Sequence, residues 1–433
     1  MTARFAIVGS GPSGMYAVDA LLKGVPGSRV DVFDRVPTPF GLIRFGVAPD
    51  HYKTRNTARQ FARTFELDDV RYLGNVEIGR DLSIIELQDN YDAVVLAIGS
   101  YHDRGLGIPG EDLAGVYGAC AYVGWYNGHP DYRELDPLLD GAGVAVIGIG
   151  NVALDVCRIL AKTRDEMRGT DISAHALDAI QAAALEQLYM FGRRGPVEGG
   201  FTPKELSEVL ELERCAVIVD PGQLPDSVEG DLETRIKGVK EKNLALLRQL
   251  AAQDKPDKPI KMTVGFYAAP VEILGDRRVE ALRMERTRIV DGRAVGSGEF
   301  FEVPCCSVVT AIGYQALPPD GVPMNGSVVA NQRGHVADNL YVVGWAKRGP
   351  TGTIPTNGPD SRDTVEVLID NLESTGKPGG GAIDKLLAER GVRVVDYAGY
   401  KKISAAEIAR APEGHPQEKF TRIDEMLALL DGA

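Results

Sequence analysis

Phe5-Ala-Ile-Val-Gly-Ser-Gly-Pro-Ser-Gly14 is the stretch from which the rest of the chain can be read. Four apolar residues, Phe5 to Val8, run straight into Gly9-x-Gly11-x-x-Gly14, and Met15 to Leu22 continues as an apolar segment compatible with a helix. This is the order strand, tight turn, helix. The first glycine permits the turn, the second (followed by Pro12 and Ser13) lets backbone approach a pyrophosphate, and the third lets the helix pack closely on the strand. The helix N-terminus then offers free N–H groups and the positive end of its dipole to the phosphates. A GxGxxG alone is weak evidence. A second strand, Arg29 to Phe33, strengthens it by ending in Asp34, twenty residues after Gly14, where an acid reaches a ribose hydroxyl. The pattern predicts a dinucleotide on Gly9, Gly11 and Gly14 with Asp34 on its ribose, against the blander reading of a glycine-rich turn beside a surface acid.

Composition narrows the classes. With 433 residues, 44% hydrophobic and 25% charged, the chain reads as a globular protein of two or three domains. No apolar run approaches the roughly 20 residues needed to cross a bilayer, and the first strand starts almost at Met1, so a cytoplasmic protein without a leader is expected. Cys120, Cys157, Cys215, Cys305 and Cys306 form no C-x-x-C pair and no metal-ligand spacing, which argues against a disulfide framework, an iron-sulfur cluster or a zinc site of the chain's own. A net charge of −13 argues against nonspecific nucleic-acid binding.

Taken in order, Pro37 to His51 is too rich in Pro and Gly for regular structure and reads as a loop over the site. Thr54 to Phe65 is expected as a helix and Val70 to Val76 as a strand. Tyr91 to Gly99 is a buried strand ending in glycine, whose apolar continuity suits a parallel sheet covered on both faces. A second nucleotide signal follows at Val144-Ala-Val-Ile-Gly148-Ile-Gly150-Asn-Val-Ala153, with alanine at the third glycine position and Leu154 to Ala161 as helix. Asp171 to Leu185 is Ala-rich and helical. The strand Gln187 to Phe191 ends not in an acid but in Arg193-Arg194, which suits a 2'-phosphate better than a free ribose; the alternative is a solvated arginine pair.

Downstream, Lys261 to Pro270, Val279 to Thr287 and Phe300 to Pro304 alternate like antiparallel strands. Ser307 to Gly313 repeats the strand-to-glycine pattern, and Asn339 to Trp345 is another buried strand. Asp363 to Leu372 is a helix candidate, Gly376 to Gly381 a linker, and the tail beyond it helical, with Ser404-x-x-Glu407 readable as a capping box.

The order GxGxxG, Asp34, Tyr91 to Gly99, GxGxxA, Arg193-Arg194, Thr310 to Gly313 and a returning strand resembles the flavoproteins with two dinucleotide-binding domains. More narrowly, Pro39 to His51, Asn151 to Asp155, Gly192 to Pro196 and Val343 to Gly352 are similar to the adrenodoxin reductase family and its bacterial NADPH-ferredoxin reductases. The match runs from Phe5 to about Leu372, and the tail after Gly376 has no counterpart in it. The resemblance implies an α/β fold of two Rossmann-like domains in a glutathione-reductase-like arrangement. An FAD-binding domain of residues 1–105 and 319–433 would be interrupted by an NADPH-binding domain of residues 106–318.

FAD would lie on Gly9, Gly11, Pro12, Ser13 and Gly14, with Asp34 on the ribose, Leu42 and Val76 near it, and Trp345, Gly352, Thr353 and Ile354 around the flavin. NADPH would lie on Gly148, Gly150, Asn151 and Val152, with Arg193 and Arg194 on the 2'-phosphate and Arg104 and Glu205 nearby. His51 and Glu208 occupy the positions of a His and a Glu that accompany hydride transfer. The implied activity passes electrons from NADPH through FAD to a [2Fe-2S] ferredoxin that supplies a cytochrome P450 or Rieske oxygenase, in a monomeric protein. Gly344-Trp345 in place of a Gly-Asp pair follows this family, whereas Pro359 within Asn357 to Ser361 departs from it.

Three other classes were weighed. A disulfide reductase needs a cysteine pair beside the flavin, and the chain has none there. A flavin monooxygenase would consume oxygen with a defined organic substrate, and a non-catalytic nucleotide-binding redox sensor would show no steady ferredoxin-dependent cytochrome c reduction. The partner surface is sought on Asp231 to Leu250, read as a helix with the apolar stripe Leu232, Ile236, Val239, Leu246 and Leu250. Its Arg235, Lys237, Lys240 and Lys242 form a basic patch to which an acidic ferredoxin would dock.

Overall fold

A computed structural model describes residues 2–141, 143–253, 257–373 and 376–432. The strand Arg4–Val8 lies at the centre of a six-stranded sheet in the order His335–Ala337, Leu340–Val342, Ala93–Leu96, Arg4–Val8, Arg29–Asp34, Val70–Gly74. Only the His335–Ala337 edge runs antiparallel. Ile7 stands opposite Val32 on one side and Val95 on the other, and all three are fully buried, as central parallel strands covered on both faces must be.

The second sheet is entirely parallel, in the order Val116–Gly118, Ser307–Thr310, Val144–Ile147, Gln187–Phe191, Ile260–Gly265, Cys215–Val219. An antiparallel meander, Ala268–Leu274, Ala281–Val290 and Arg293–Pro304, is inserted between its last two strands in chain order. The fold is thus α/β with two Rossmann-like sheets, as expected.

Several local expectations need correcting. The Lys261–Pro270 run does not begin the antiparallel set: Ile260–Gly265 belongs to the parallel sheet and the meander starts at Ala268. The exposed Lys261 at that strand's open end imitates the alternation of a half-exposed strand. Thr54–Phe65 is two short helices, Tyr52–Arg55 and Ala58–Thr64, because Arg55 turns inward to the carbonyls of Val47 and Ala48. The Ala-rich helix spans only Ala174–Ala182, since the Asp171 carboxylate is taken by Arg55.

The presumed linker Gly376–Gly381 already starts the helix Gly380–Glu389. Ser404 and Glu407 lie inside the helix Tyr397–Ala409, so they form no capping box. Pro359 is absorbed in the first turn of the helix Asn357–Asp370, where a missing N–H costs no hydrogen bond.

The basic helix runs Thr234–Ala252, and its buried side is Asn243, Leu244, Leu247 and Leu250; of the expected stripe Leu250 is buried and Leu246 half-buried. Leu232, Ile236 and Val239 are exposed. Only the C-terminal half of the helix rests on the sheet, a fact that periodicity within the helix does not contain.

Candidate functional site

The first turn is built by close backbone approach. Gly9 has φ +110°, and a Cβ there would fall 2.4 Å from the Ala97 carbonyl oxygen; one on Gly14 would fall 2.1 Å from the Gly9 oxygen. Gly11 precedes the helix Pro12–Gly24, which has no side-chain cap, so its first N–H groups remain available. Asp34 accepts hydrogen bonds from the Ser10 hydroxyl, from the Ser10 N–H (3.2 Å) and from the Val36 N–H (3.2 Å). Burial pushes its carboxyl above the usual range, against the pull of these donors. Val76 is buried beside it, its N–H donating to the Asp34 carbonyl (2.9 Å).

The returning strand completes this pocket. Gly344, at φ +71°, sits so close that a Cβ would fall 2.0 Å from Ser13 Oγ. Asn357 joins Ser13 (3.1 Å) to the Thr353 carbonyl (3.3 Å), and Trp345 donates to the Thr351 carbonyl (3.1 Å), which holds Gly352, Thr353 and Ile354 in the same cluster. Leu42 opens the helix Leu42–Phe45 next to Gly41, whose backbone faces Gly11.

The second turn repeats the plan. Gly148 has φ +145°, and a Cβ would fall 2.3 Å from the Ala311 oxygen, while nothing lies within 4 Å of a Cβ on Gly150. The helix Asn151–Ala161 again lacks a side-chain cap, and Asn151 accepts from the Thr202 N–H (2.8 Å), with Val152 half-buried behind it. Arg193 and Arg194 are exposed and form no ion pair among the described residues. Glu205 sits in the short helix Pro203–Glu208, with Oε2 buried and without a hydrogen bond among the described residues. Arg104 is held elsewhere, donating to Ser327 Oγ (2.6 Å), and among the described residues no hydrogen bond or ion pair brings it to the arginine pair.

His51 Nε2 meets Glu208 Oε2 at 2.9 Å, although 157 residues separate them. Burial disfavours the charged imidazole, but the Glu208 hydrogen bond and the Asp155 carboxylate outweigh it, and the His51 pKa ends above its ordinary value. Glu208 is pushed up by burial but pulled down further by His51 and Arg158, to about 2. Both shifts run toward the charged forms of the pair, imidazolium facing carboxylate.

Relatives of known kind match nearly the whole chain. NADPH-ferredoxin reductase FprA of Mycobacterium leprae is 40% identical over 450 residues, covering 99% of this chain and 98% of that one. Mitochondrial NADPH:adrenodoxin oxidoreductase of Homo sapiens is 39% identical over 458 residues, covering 99% and 92%. The solved structure of Mycobacterium tuberculosis FprA in complex with NADPH superposes with a TM-score of 0.94 at 38% identity, covering 99% of both chains. No family model matches the chain. The chain belongs to the adrenodoxin reductase family of NADPH-ferredoxin reductases.

Members of that family are FAD-containing, NADPH-dependent oxidoreductases, and the residues of this reductase fit both groups. Two helix N-termini without side-chain caps start beside Gly11 and Gly150, an acid follows the first turn, and two arginines without an ion pair and a Glu205 oxygen without a hydrogen bond, among the described residues, follow the second. A set of charges around the His51–Glu208 pair was not foreseen from sequence. Arg158, with its side chain wholly buried, forms an ion pair with Asp50, reaches Asp155 (2.9 Å), and lies 3.1 Å from His51 Nε2 and 3.4 Å from Glu208. Lys162 adds a second cation on Asp50 (2.6 Å), and Lys204 one on Glu208 (3.0 Å). Asp155 and Arg158, at helical spacing within a mostly apolar helix, and Lys162 just past its end were the available signal.

Proposed function

We propose that this reductase carries electrons from NADPH through FAD, one at a time, to a [2Fe-2S] ferredoxin that supplies an oxygenase such as a cytochrome P450 or a Rieske enzyme. The flavin supplies the conversion of a two-electron hydride donor into single-electron deliveries, and the protein contributes binding and orientation. Residues 1–105 with 319–433 form the FAD-binding part and 106–318 the NADPH-binding part. Gly9, Gly11, Ser13 and Gly14 receive the pyrophosphate of FAD, Asp34 its ribose, and Trp345 and Gly352 to Ile354 the flavin. Gly148 to Val152 receive NADPH, Arg193 and Arg194 its 2'-phosphate, and Glu205, with an unpaired oxygen, a donor group of the coenzyme.

The observation that carries this reading is the 2.9 Å contact between His51, in the loop that follows the strand ending at Asp34, and Glu208, in the helix Pro203–Glu208 that follows Arg193-Arg194. In it His51 and Glu208 orient the nicotinamide side against the flavin side, while Arg158 and Asp50 hold the pair in register. The protein acts as a cytoplasmic monomer; no helix among the described residues is long and apolar enough to cross a membrane. An acidic ferredoxin docks on the exposed Arg235, Lys237 and Lys242 of the helix Thr234–Ala252. Lys240 is removed from that patch, because its ammonium donates to the Gly199 carbonyl (2.6 Å) beside the second turn.

The test is NADPH-driven cytochrome c reduction with and without a panel of [2Fe-2S] ferredoxins. Strong stimulation by at least one ferredoxin is expected. Turnover that instead tracks oxygen consumption with a small organic substrate would replace the reading with a monooxygenase.

A further inference from the structure

Residues 376–432 carry none of the nucleotide motifs, yet they bury two charges, Glu407 and Lys419, at 0% and 1% exposure. The helix Tyr397–Ala409 lies against the first sheet, with Tyr397 stacked on Phe65 (5.1 Å between centroids) and Tyr400 edge-on to Phe40 (5.8 Å). At its end Glu407 pairs with Arg44 (2.5 Å) and accepts from the Phe420 N–H (2.9 Å).

Between those two points the chain crosses to the second sheet's layer and returns. His415 Nδ1 contacts the Thr170 carbonyl (2.9 Å), Gln417 donates to Asp171 Oδ2 (2.8 Å), and Glu418 accepts from the Ala174 N–H (3.2 Å). Lys419 spends its donors on the Asn127 carbonyl (3.0 Å), the Asp171 carbonyl (3.0 Å) and the Asp171 carboxylate (3.1 Å). The helix Ile423–Asp431 then packs Met426 back against Ile403 and Val395.

What this strap grips is the anchor of the His51 loop. The Asp171 carboxylate also accepts from Arg55 (2.7 Å), and the Asn127 side chain bonds both the Arg55 guanidinium and the Val47 carbonyl (3.2 Å). Arg55 in turn donates to the carbonyls of Arg44 (3.2 Å), Val47 (2.5 Å) and Ala48 (3.2 Å), the turn immediately before Asp50-His51. An apolar plug would serve to hold two layers together. Here instead the cation, the acid and the amide are all desolvated, so loss of the Lys419 ammonium leaves Asp171 less compensated and disturbs its remaining bonds, including that to Arg55.

We propose that Lys419 is a positioning residue: the C-terminal strap, acting through Asp171, Asn127 and Arg55, sets the alignment of the His51 loop with Glu208. This rests on the reading of His51 and Glu208 given above.

The test uses the full-length FAD-bound enzyme and Lys419→Met, with two readouts. Hydrogen exchange over residues 42–51 should rise at least severalfold while the strand at residues 5–8 keeps its protection. Stopped-flow flavin reduction at saturating NADPH should slow about tenfold, with the NADPH concentration for half-saturation changed less than about twofold, since misalignment lowers the rate and not the binding. Where Lys419→Met fails to retain FAD, Gln417→Ala removes one bond to Asp171 and should give the same pattern at two- to threefold.

Unchanged exchange at residues 42–51 in a folded variant overturns the strap. Raised exchange with an unchanged rate upholds the strap and overturns the catalytic reading of His51, which His51→Gln checks separately.

Discussion

At the first turn Asp34 is already tied to Ser10 and Val36, whereas at the second Arg193 and Arg194 stand in solvent, with no carboxylate partner among the described residues. The third motif position differs in the same direction: at 14 even a Cβ would strike the Gly9 carbonyl at 2.1 Å, while at 153 an alanine is accommodated with no exposure. The opening glycines are nearly identical, a Cβ falling 2.4 Å and 2.3 Å from a carbonyl at Gly9 and Gly148. One chain plan has thus produced a closed, preorganised cradle and an open one. The closed cradle suits a group that stays and the open one a coenzyme that comes and goes, because ordering and desolvation are completed in advance only at the first.

The largest effect should come from breaking the closed cradle. Gly14→Ala forces backbone apart where no side chain can yield, at a cost of about 3 kcal/mol or more, whereas Ala153→Gly costs about 1 kcal/mol of helix propensity. Purified Gly14→Ala should emerge without bound FAD, read from its visible absorbance, and Ala153→Gly should keep it. Full FAD content in Gly14→Ala would end the contrast.

Opening the second cradle further should cost less. Charge-assisted contacts of a guanidinium to phosphate contribute about 1.5 to 3 kcal/mol, so Arg193→Ala or Arg194→Ala should lower kcat/KM for NADPH tenfold to a hundredfold and leave NADH nearly unchanged. Equal losses with both coenzymes would remove the 2'-phosphate from these arginines.

A smaller change, about tenfold in flavin reduction with FAD retained, is expected for His51→Gln and Glu208→Gln, which belong to neither cradle. The pH dependence follows from the direction of each shift. The His51 contribution to the pair is complete below its unfolded pKa of about 6.5 and is lost as pH rises through the raised folded value. The Glu208 contribution is complete above its unfolded value of about 4.3 and is lost only as pH falls toward about 2. The rate should therefore carry one step on the alkaline side of 6.5, displaced to lower pH in Glu208→Gln; a step that does not move would detach His51 from it.

The smallest effect concerns the surface outside both cradles. Charge reversal at Arg235 and Lys237 should raise KM for ferredoxin severalfold at low salt and leave that for NADPH alone, with the difference fading near 0.5 M salt, where the Debye length falls to about 4 Å. Ferredoxin kinetics indifferent to both charges would move the docking face elsewhere, first to Lys347 and Arg348.

Much of the nucleotide-binding plan is local, and locality made it legible. Gly9, Gly11 and Gly14 do their work within one turn, Asp34 ends the next strand, and the strand Gln187–Phe191 leads directly to Arg193-Arg194. Short-range sterics and strand periodicity act over such distances, so the sequence by itself determined the α/β class and both turns. His51 and Glu208 came from the family resemblance, and the contact between them is purely tertiary. The burial of Arg158, the inward turn of Arg55 that splits its helix, and the diversion of Lys240 to Gly199 were decided in the same way, by what another part of the chain offers. The tail shows the limit most clearly. Ser404 and Glu407 read as a local cap because that spacing has a local meaning, whereas Glu407 answers Arg44, 363 residues away, and Lys419 answers Asp171, 248 residues away. A buried charge is tolerable only opposite its partner, and which partner arrives is settled by the packing of two sheets and not by any neighbourhood in the sequence.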